Sequence, residues 1–324
     1  MTRDRAAAGS HAASSASPGD GAGHAPRAGV ALGPLLLAFA WGLNWPAIKI
    51  VLTAVPPFTL RVFGLGGAAL LLAGVALAQR KALWPPRAAW PGIAVGALLT
   101  ITAFNFCTAF AQLNTSTSRA AVLTYTMPML SAALAWALLG ERPGQRGGWA
   151  LGLGSAGIAV LAWPVFEGLA SGHGAAPRGL VFPLLAALSW ACGTVAAKRW
   201  PPVGERIVIT AWQLGIGGAC GALAALLTGE ALPTVWAPRV VVALGYHIVI
   251  ATAFAYLLWY RILDAQSATV SSLTTLAVPV VGVLGAMALV GDRPSAADWA
   301  GFALVLGGAA LVVLRFDRAD AKRR

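Results

Sequence analysis

The sequence predicts an all-α integral membrane protein of ten transmembrane helices, arranged as two inverted five-helix repeats. Three observations carry that expectation: a composition suited to lipid, ten apolar stretches of spanning length, and a segment that the chain contains twice. Hydrophobic residues make up 58% of the 324 and charged residues only 10%, where a soluble domain carries about a quarter charged. The doubled segment pairs a proline inside an apolar run (Pro128, Pro279) with a tetrad that stops the run, Gly140-Glu141-Arg142-Pro143 and then Gly291-Asp292-Arg293-Pro294. A tryptophan and a glycine-rich apolar stretch follow both tetrads, and a duplication of this kind decides the architecture.

Residues 1–29 are rich in Ala, Ser, Gly and His, hold no apolar run, and are expected to form a disordered cytoplasmic tail. No short hydrophobic core lies near Met1, so the first apolar segment is expected to stay as an anchor. At about 20 residues per crossing, the spans fall at 31–51, 58–78, 92–113, 118–139, 149–166, 180–200, 206–228, 237–261, 267–290 and 299–315. The runs are continuous rather than alternating, which excludes a barrel and leaves helices as the way to satisfy the backbone in lipid. Glycine clusters such as Gly64 to Gly67 and Gly215 to Gly218 let helices approach closely where no hydrophobic effect draws them together.

Those two clusters occupy matching places in the second and seventh spans. Trp41 with Lys49 is matched by Trp190 with Lys198, and Thr102-Ala103-Phe104 by Thr252-Ala253-Phe254. The repeats are therefore 30–166 (helices 1–5) and 179–315 (helices 6–10), followed by a basic cytoplasmic tail at 316–324. Five is odd, so the second unit enters the membrane from the opposite side, as in carriers that bind substrate between inverted repeats near the midplane. With the N-terminus inside, 17 of the 23 Lys and Arg residues fall on the cytoplasmic side, and only Lys49, Arg61, Arg119, Arg178, Arg239 and Arg293 on the other. The positive-inside rule then places both termini in the cytoplasm of a cell (inner or plasma) membrane protein. The net charge of +12 thus reads as topology, with no nucleic acid partner. The expected partners are the lipid bilayer and a small-molecule substrate; a homodimer is an assembly the sequence leaves open. Cys107, Cys192 and Cys220 are isolated, without the spacing of a metal or disulfide framework, so no metal and no cofactor is expected.

The pattern of Pro128, Gly140-Glu141-Arg142-Pro143 and the stretch from Trp149 to Leu161 resembles the drug/metabolite transporter superfamily, in particular its ten-helix EamA-type members. The resemblance covers about residues 30–315, and the second copy departs from it only in carrying Asp292 where Glu is usual. It implies an inner-membrane carrier, often an exporter of amino acids or other small metabolites, and not an enzyme.

Candidate substrate contacts follow from which polar groups lie inside spans, since a charge at the bilayer centre costs about 3 kcal/mol and ionisable residues there mark function. Trp41, Asn44 and Trp45 precede Pro46, the two tryptophans are four residues apart on a common helical face, and Pro46 frees backbone groups to line a cavity. Trp190 and Thr194 are their repeat partners. Asn105, Tyr125, Gln213, Tyr256 and Thr275 are the remaining mid-span polar groups; each alone reads as an interhelical hydrogen bond, and as a convergent set they are the best available cavity lining. Arg61, just after Pro56-Pro57, is expected at the outer end of helix two, either pairing with an anionic substrate group at a cavity mouth or anchoring the interface. His247 is the one histidine within a span, and a proton-coupled drug antiporter would use such a group. Pro128 and Pro279 are candidate hinges, with a static kink as the plainer alternative. Glu141 and Asp292, each followed by Arg and Pro, are expected to fix a helix end and its turn.

No GxxxxGK[ST] loop is present, so transport is expected to be facilitated or coupled to a gradient. The function expected is export of a small organic metabolite such as an amino acid, by alternating access around a central, aromatic, mostly neutral cavity. A lipid enzyme would need paired carboxylates or a His cluster, which the sequence lacks, and a sensor or scaffold remains the alternative of another class.

Overall fold

A computed structural model describes residues 29–139, 145–170, 177–200, 203–259 and 268–321. Apart from short turns and connections those residues are helical, with no strand among them, as expected of continuous apolar runs in lipid. In chain order the elements are α1 (Gly29–Gly42), α2 (Asn44–Val51), α3 (Pro57–Ala78), α4 (Arg87–Asn114), α5 (Thr117–Thr124) and α6 (Met127–Leu139). They continue with α7 (Gln145–Ala170), α8 (Arg178–Arg199), α9 (Arg206–Thr228), α10 (Pro238–Trp259), α11 (Ala268–Val290) and α12 (Ala296–Ala321). Among the described residues, six stretches are long and apolar enough to cross a membrane: α3, α4, α5 with α6, α8, α9 and α10. Leu35–Val51, Ala277–Val290 and Ala296–Leu311 are apolar but shorter. The tetrad at Gly140 to Pro143 lies outside the described residues.

Prolines explain two of the interruptions. Pro46 has no N–H to give the carbonyl of Gly42, and the first span breaks at Leu43 into α1 and α2. Pro128 removes the bond to Thr124, and the fourth span breaks at Tyr125 and Thr126, separating α5 from α6. Pro279 does not act in the same way: it is buried, and α11 runs through it uninterrupted. The two candidate hinges therefore differ, an open break at the first and a continuous helix at the second.

Three spans also widen into π-helical stretches: Val62–Gly66 in α3, Gly96–Ala103 in α4 and His247–Phe254 in α10. Such insertions are uncommon and concentrate at functional positions. The last two end at the Thr102-Ala103 and Thr252-Ala253-Phe254 segments that the sequence pairs.

Packing depends on the small residues. The glycine clusters of α3 and α9 meet each other, backbone on backbone, at Gly66 and Gly218. Between α7 and α12, Gly157 faces the Gly301 carbonyl and Gly308 faces that of Ala150, so these helices lie together along much of their length. Apolar side chains such as Leu70, Leu226, Leu227 and Val242, each more than 70% exposed, point outward, the distribution a lipid environment requires.

A Gly-acid pair serves twice as a helix terminator and cap. Gly291, at φ +75°, ends α11 in the left-handed conformation, and Asp292 then accepts from the Ser118 amide at 2.8 Å and the Ser118 hydroxyl at 3.0 Å in the first turn of α5. Gly229, at φ +68°, ends α9, and Glu230 accepts from the amides of Phe58 at 3.1 Å and Thr59 at 2.7 Å in the first turn of α3. A carboxylate at a helix N-terminus satisfies orphan amides and complements the dipole. Asp292 thus fixes a turn, as expected, but it does so by tying α11 to α5. Asp292→Ala should lower stability by about 0.5–2 kcal/mol, with Asp292→Asn, which keeps an acceptor, losing less. Thermal unfolding of the purified protein in detergent checks this, and an unchanged midpoint in Asp292→Ala would show that the cap contributes nothing.

Candidate functional site

The α1–α2 break places its residues against the π-helical part of α10. Asn44, the first residue of α2, brings its Oδ1 within 2.7 Å of the Nδ1 of His247, the first residue of that stretch. With the amide oxygen accepting, the imidazole proton sits on Nδ1 and Nε2 is left as an acceptor. His247 is 1% exposed, and its Nε2 has no hydrogen-bond partner among the described residues. Gly64 makes this fit possible, because a Cβ there would collide with Nε2 and Cδ2 of the ring. One residue earlier, the Tyr246 hydroxyl lies 3.1 Å from the Phe39 carbonyl and 3.0 Å from that of Ala40, securing the last turns of α1 to α10. The two residues the sequence singled out separately, Asn44 and His247, are one unit.

The tryptophans of the first span part company at the break. Trp41 packs its ring 6.0 Å from Tyr256 in T-shaped geometry and 5.6 Å from Trp259, all on the α10 side. Trp45 is buried among Ala111, Ala120 and Ala121 instead. Their four-residue spacing sets them one turn apart, and at those two heights the rings meet different helices, α10 for Trp41 and α4 with α5 for Trp45. Tyr125, in the α5–α6 break, is buried with Ala38 and Val278, with Trp41 packed against the group. Trp41 thus packs with both Tyr125 and Tyr256, and the Asn44–His247 pair lies three residues further along the same span.

Other candidates fall elsewhere. Trp190 packs 5.0 Å from Phe104, and Thr194 is exposed with its hydroxyl returned to the Trp190 carbonyl at 2.9 Å. Asn105 gives its amide to the carbonyl of Ile101 on its own helix at 2.8 Å. Gln213 lies against Gly96, where a side chain would collide with its amide. Thr275 belongs to α11, but its side chain lies outside the described residues, as does that of Pro128.

Arg61 stands in the first turns of α3, at the helix end where the sequence places it, and it is 0% exposed, which leaves no surface for the interfacial anchoring that is one of its two readings. The absence of a side chain at Gly221 on α9 leaves room for its stem: a Cβ there would approach Arg61 Cβ to 3.3 Å. The guanidinium Nη2 donates to the Thr108 hydroxyl at 3.2 Å, which donates onward to the Asn105 carbonyl at 2.9 Å. Its Nε and Nη1 have no partner among the described residues. One turn beyond Thr108 on α4, Gln112 is also 0% exposed, and both polar atoms of its amide are unpartnered. The Lys49 ammonium donates to the Gln112 backbone carbonyl.

Thr108 and Gln112 were not singled out in the sequence, although the spacing of Asn105, Thr108 and Gln112 (i, i+3, i+7) is the signature of a polar stripe on an otherwise apolar helix. Lys81 pairs with Glu205 at 2.5 Å and Arg119 with Asp298, and no group of three or more His, Cys, Asp or Glu side chains among the described residues is arranged to hold a metal.

Comparison with known proteins places these features in context. The model of the EamA-like transporter family matches the chain twice, over residues 27–163 and 177–314. The uncharacterized transporter YvbV of Bacillus subtilis is 27% identical over 281 residues, 86% of this chain and 90% of its own. The uncharacterized inner membrane transporter YedA of Escherichia coli K12 is 25% identical over 86% of this chain and 88% of its own. The probable amino-acid metabolite efflux pump of Salmonella typhimurium is 27% identical over 87% of this chain and 94% of its own. A protein of known crystal structure superposes with a TM-score of 0.60 over 90% of this chain and 99% of its own at 24% identity, a likeness of fold alone.

Proposed function

The chain belongs to the EamA-like transporter family of membrane proteins, and from that premise we propose that it is a secondary carrier that exports a small organic metabolite by alternating access. In this reading ten helices form two inverted repeats, 30–166 and 179–315, in the cell membrane with both termini cytoplasmic. The Gly229-Glu230 and Gly291-Asp292 caps then share the outer side.

One observation carries the reading: a buried polar pair, Asn44 with His247, seated where a broken helix faces a π-helical stretch, with the aromatic group of Trp41, Tyr125 and Tyr256 packed one turn earlier on the same span. Irregular backbone at membrane depth is tolerated where it is enclosed by protein or lines a cavity, which is where carriers place their substrates. Aromatic walls with a few fixed polar groups suit a small organic solute. Export of amino-acid metabolites, named for the Salmonella relative, is the direction and substrate range this supports. The α5–α6 break at Tyr125 supplies a joint at which the cavity changes access.

The test is flux. Purified protein in liposomes should move at least one solute from a panel of labelled amino acids, nucleosides and dyes, and cells overproducing it should enrich the medium in that solute relative to deleted cells. No flux of any solute in either setting would favour a sensor or scaffold instead.

A further inference from the structure

We propose that Arg61 is the anion-binding residue of this carrier and that its substrates are organic carboxylates, held through the carboxylate on the guanidinium fork of Arg61. The inference rests on the carrier reading and names the substrate class of the same interior.

A guanidinium cannot shed its charge in a protein, so a buried arginine needs partners. Within a membrane protein a structural arginine is normally paired with an acid or with carbonyl groups. Arg61 is 0% exposed; its Nη2 donates to a neutral hydroxyl, and its Nε and Nη1 have no partner among the described residues. Two ion pairs among the described residues, Lys81–Glu205 and Arg119–Asp298, lie elsewhere. A second cation adds to the field: Lys49 reaches the Gln112 carbonyl one turn from Thr108, so two positive charges converge on a single turn of α4. One turn along α4 from Thr108, the Gln112 amide is wholly buried with both polar atoms unpartnered among the described residues.

The geometry favours a carboxylate. Thr108 occupies one of the two Nη2 hydrogens, which leaves the other, together with its neighbour on the fork, as a planar two-donor edge. That edge matches the two oxygens of a carboxylate. Phosphate, with three oxygens in a tetrahedral array and nearly twice the charge, does not match a planar two-donor edge.

The experiment incubates inside-out vesicles bearing the full-length protein with a protein-free extract of small cellular metabolites and identifies what accumulates in their lumen. Wild type should accumulate solutes that carry a carboxylate, and the methyl ester of each recovered solute should compete at least about tenfold less well than the acid. Arg61→Met, an apolar residue of similar length, should remain folded by gel filtration and thermal unfolding, because replacing a buried charge by an apolar side chain leaves no uncompensated ion. Its flux of carboxylates should fall about tenfold or more, with Arg61→Lys retaining part. Accumulation of phosphorylated or uncharged solutes without a carboxylate, or equal competition by acid and ester, would overturn the inference and leave the carrier reading standing. No accumulation of any solute would overturn both. A collapse of Arg61→Met that Arg61→Lys escapes, with acid and ester competing alike in wild type, would make Arg61 a structural charge and end the proposal.

Discussion

Gly218→Ala should destabilise the protein by about 1–3 kcal/mol, whereas Gly215→Ala, three residues away in the same cluster, should be neutral or stabilising. A Cβ at Gly218 would lie 2.9 Å from the Gly66 amide nitrogen and 3.0 Å from its Cα, and backbone cannot rotate aside. A Cβ at Gly215 meets nothing closer than Ala69 Cβ at 3.8 Å, an ordinary contact. Helices in lipid associate through close packing and not through a hydrophobic effect, so a wedge between α3 and α9 forfeits the contacts along the crossing. At Gly215 the substitution instead removes the entropic penalty of a glycine within a helix. Gly157→Ala gives a second reading of the same physics, since its Cβ would stand 2.9 Å from both the Gly301 carbonyl and the Val305 amide. Thermal midpoints of the purified variants in detergent decide the matter. Equal midpoints for Gly218→Ala and Gly215→Ala would refute the close approach of α3 and α9.

The glycine clusters show what the sequence made legible and where it stopped. Their presence in matched spans, the long apolar runs and the Gly-acid-Arg-Pro tetrad were enough to read a helical membrane protein of this family. That Gly66 would meet Gly218, and that Gly64 would leave space for the ring of His247, depends on helix rotation, which composition does not encode. Proline had the same limit. Pro46, Pro128 and Pro279 carry the same local penalty, yet only the first two coincide with a break, because neighbours decide whether the lost hydrogen bond opens the helix. Arg61 was legible only in part: proximity to Pro56-Pro57 located it at the start of a helix, but not how α4 and α9 close around that first turn. Glu230 went unread although Gly229-Glu230 is the same terminator-and-cap pair as Gly291-Asp292; its partners Phe58 and Thr59 are more than 170 residues away.

Asn44→Leu should both destabilise the protein and suppress transport. It strands the Nδ1–H of His247 in a site 1% exposed, and a buried donor deprived of its partner costs about 1–3 kcal/mol. His247→Leu strands the Asn44 amide in the same way. In the double variant Asn44→Leu, His247→Leu neither polar group remains to be left unpaired, so much of the lost stability should return, with a coupling of about 0.5–3 kcal/mol between the sites. Flux separates packing from function. If the pair forms part of the substrate site, stability recovers in the double variant but transport stays depressed about tenfold or more, a barrier increase of about 1.4 kcal/mol. If the pair only joins α2 to α10, flux returns together with the thermal midpoint, and the cavity must then be sought on the Arg61 side of α4. Conversely, wild-type stability in Asn44→Leu would mean that His247 does not depend on this bond, and the unit at the α1–α2 break would lose its basis.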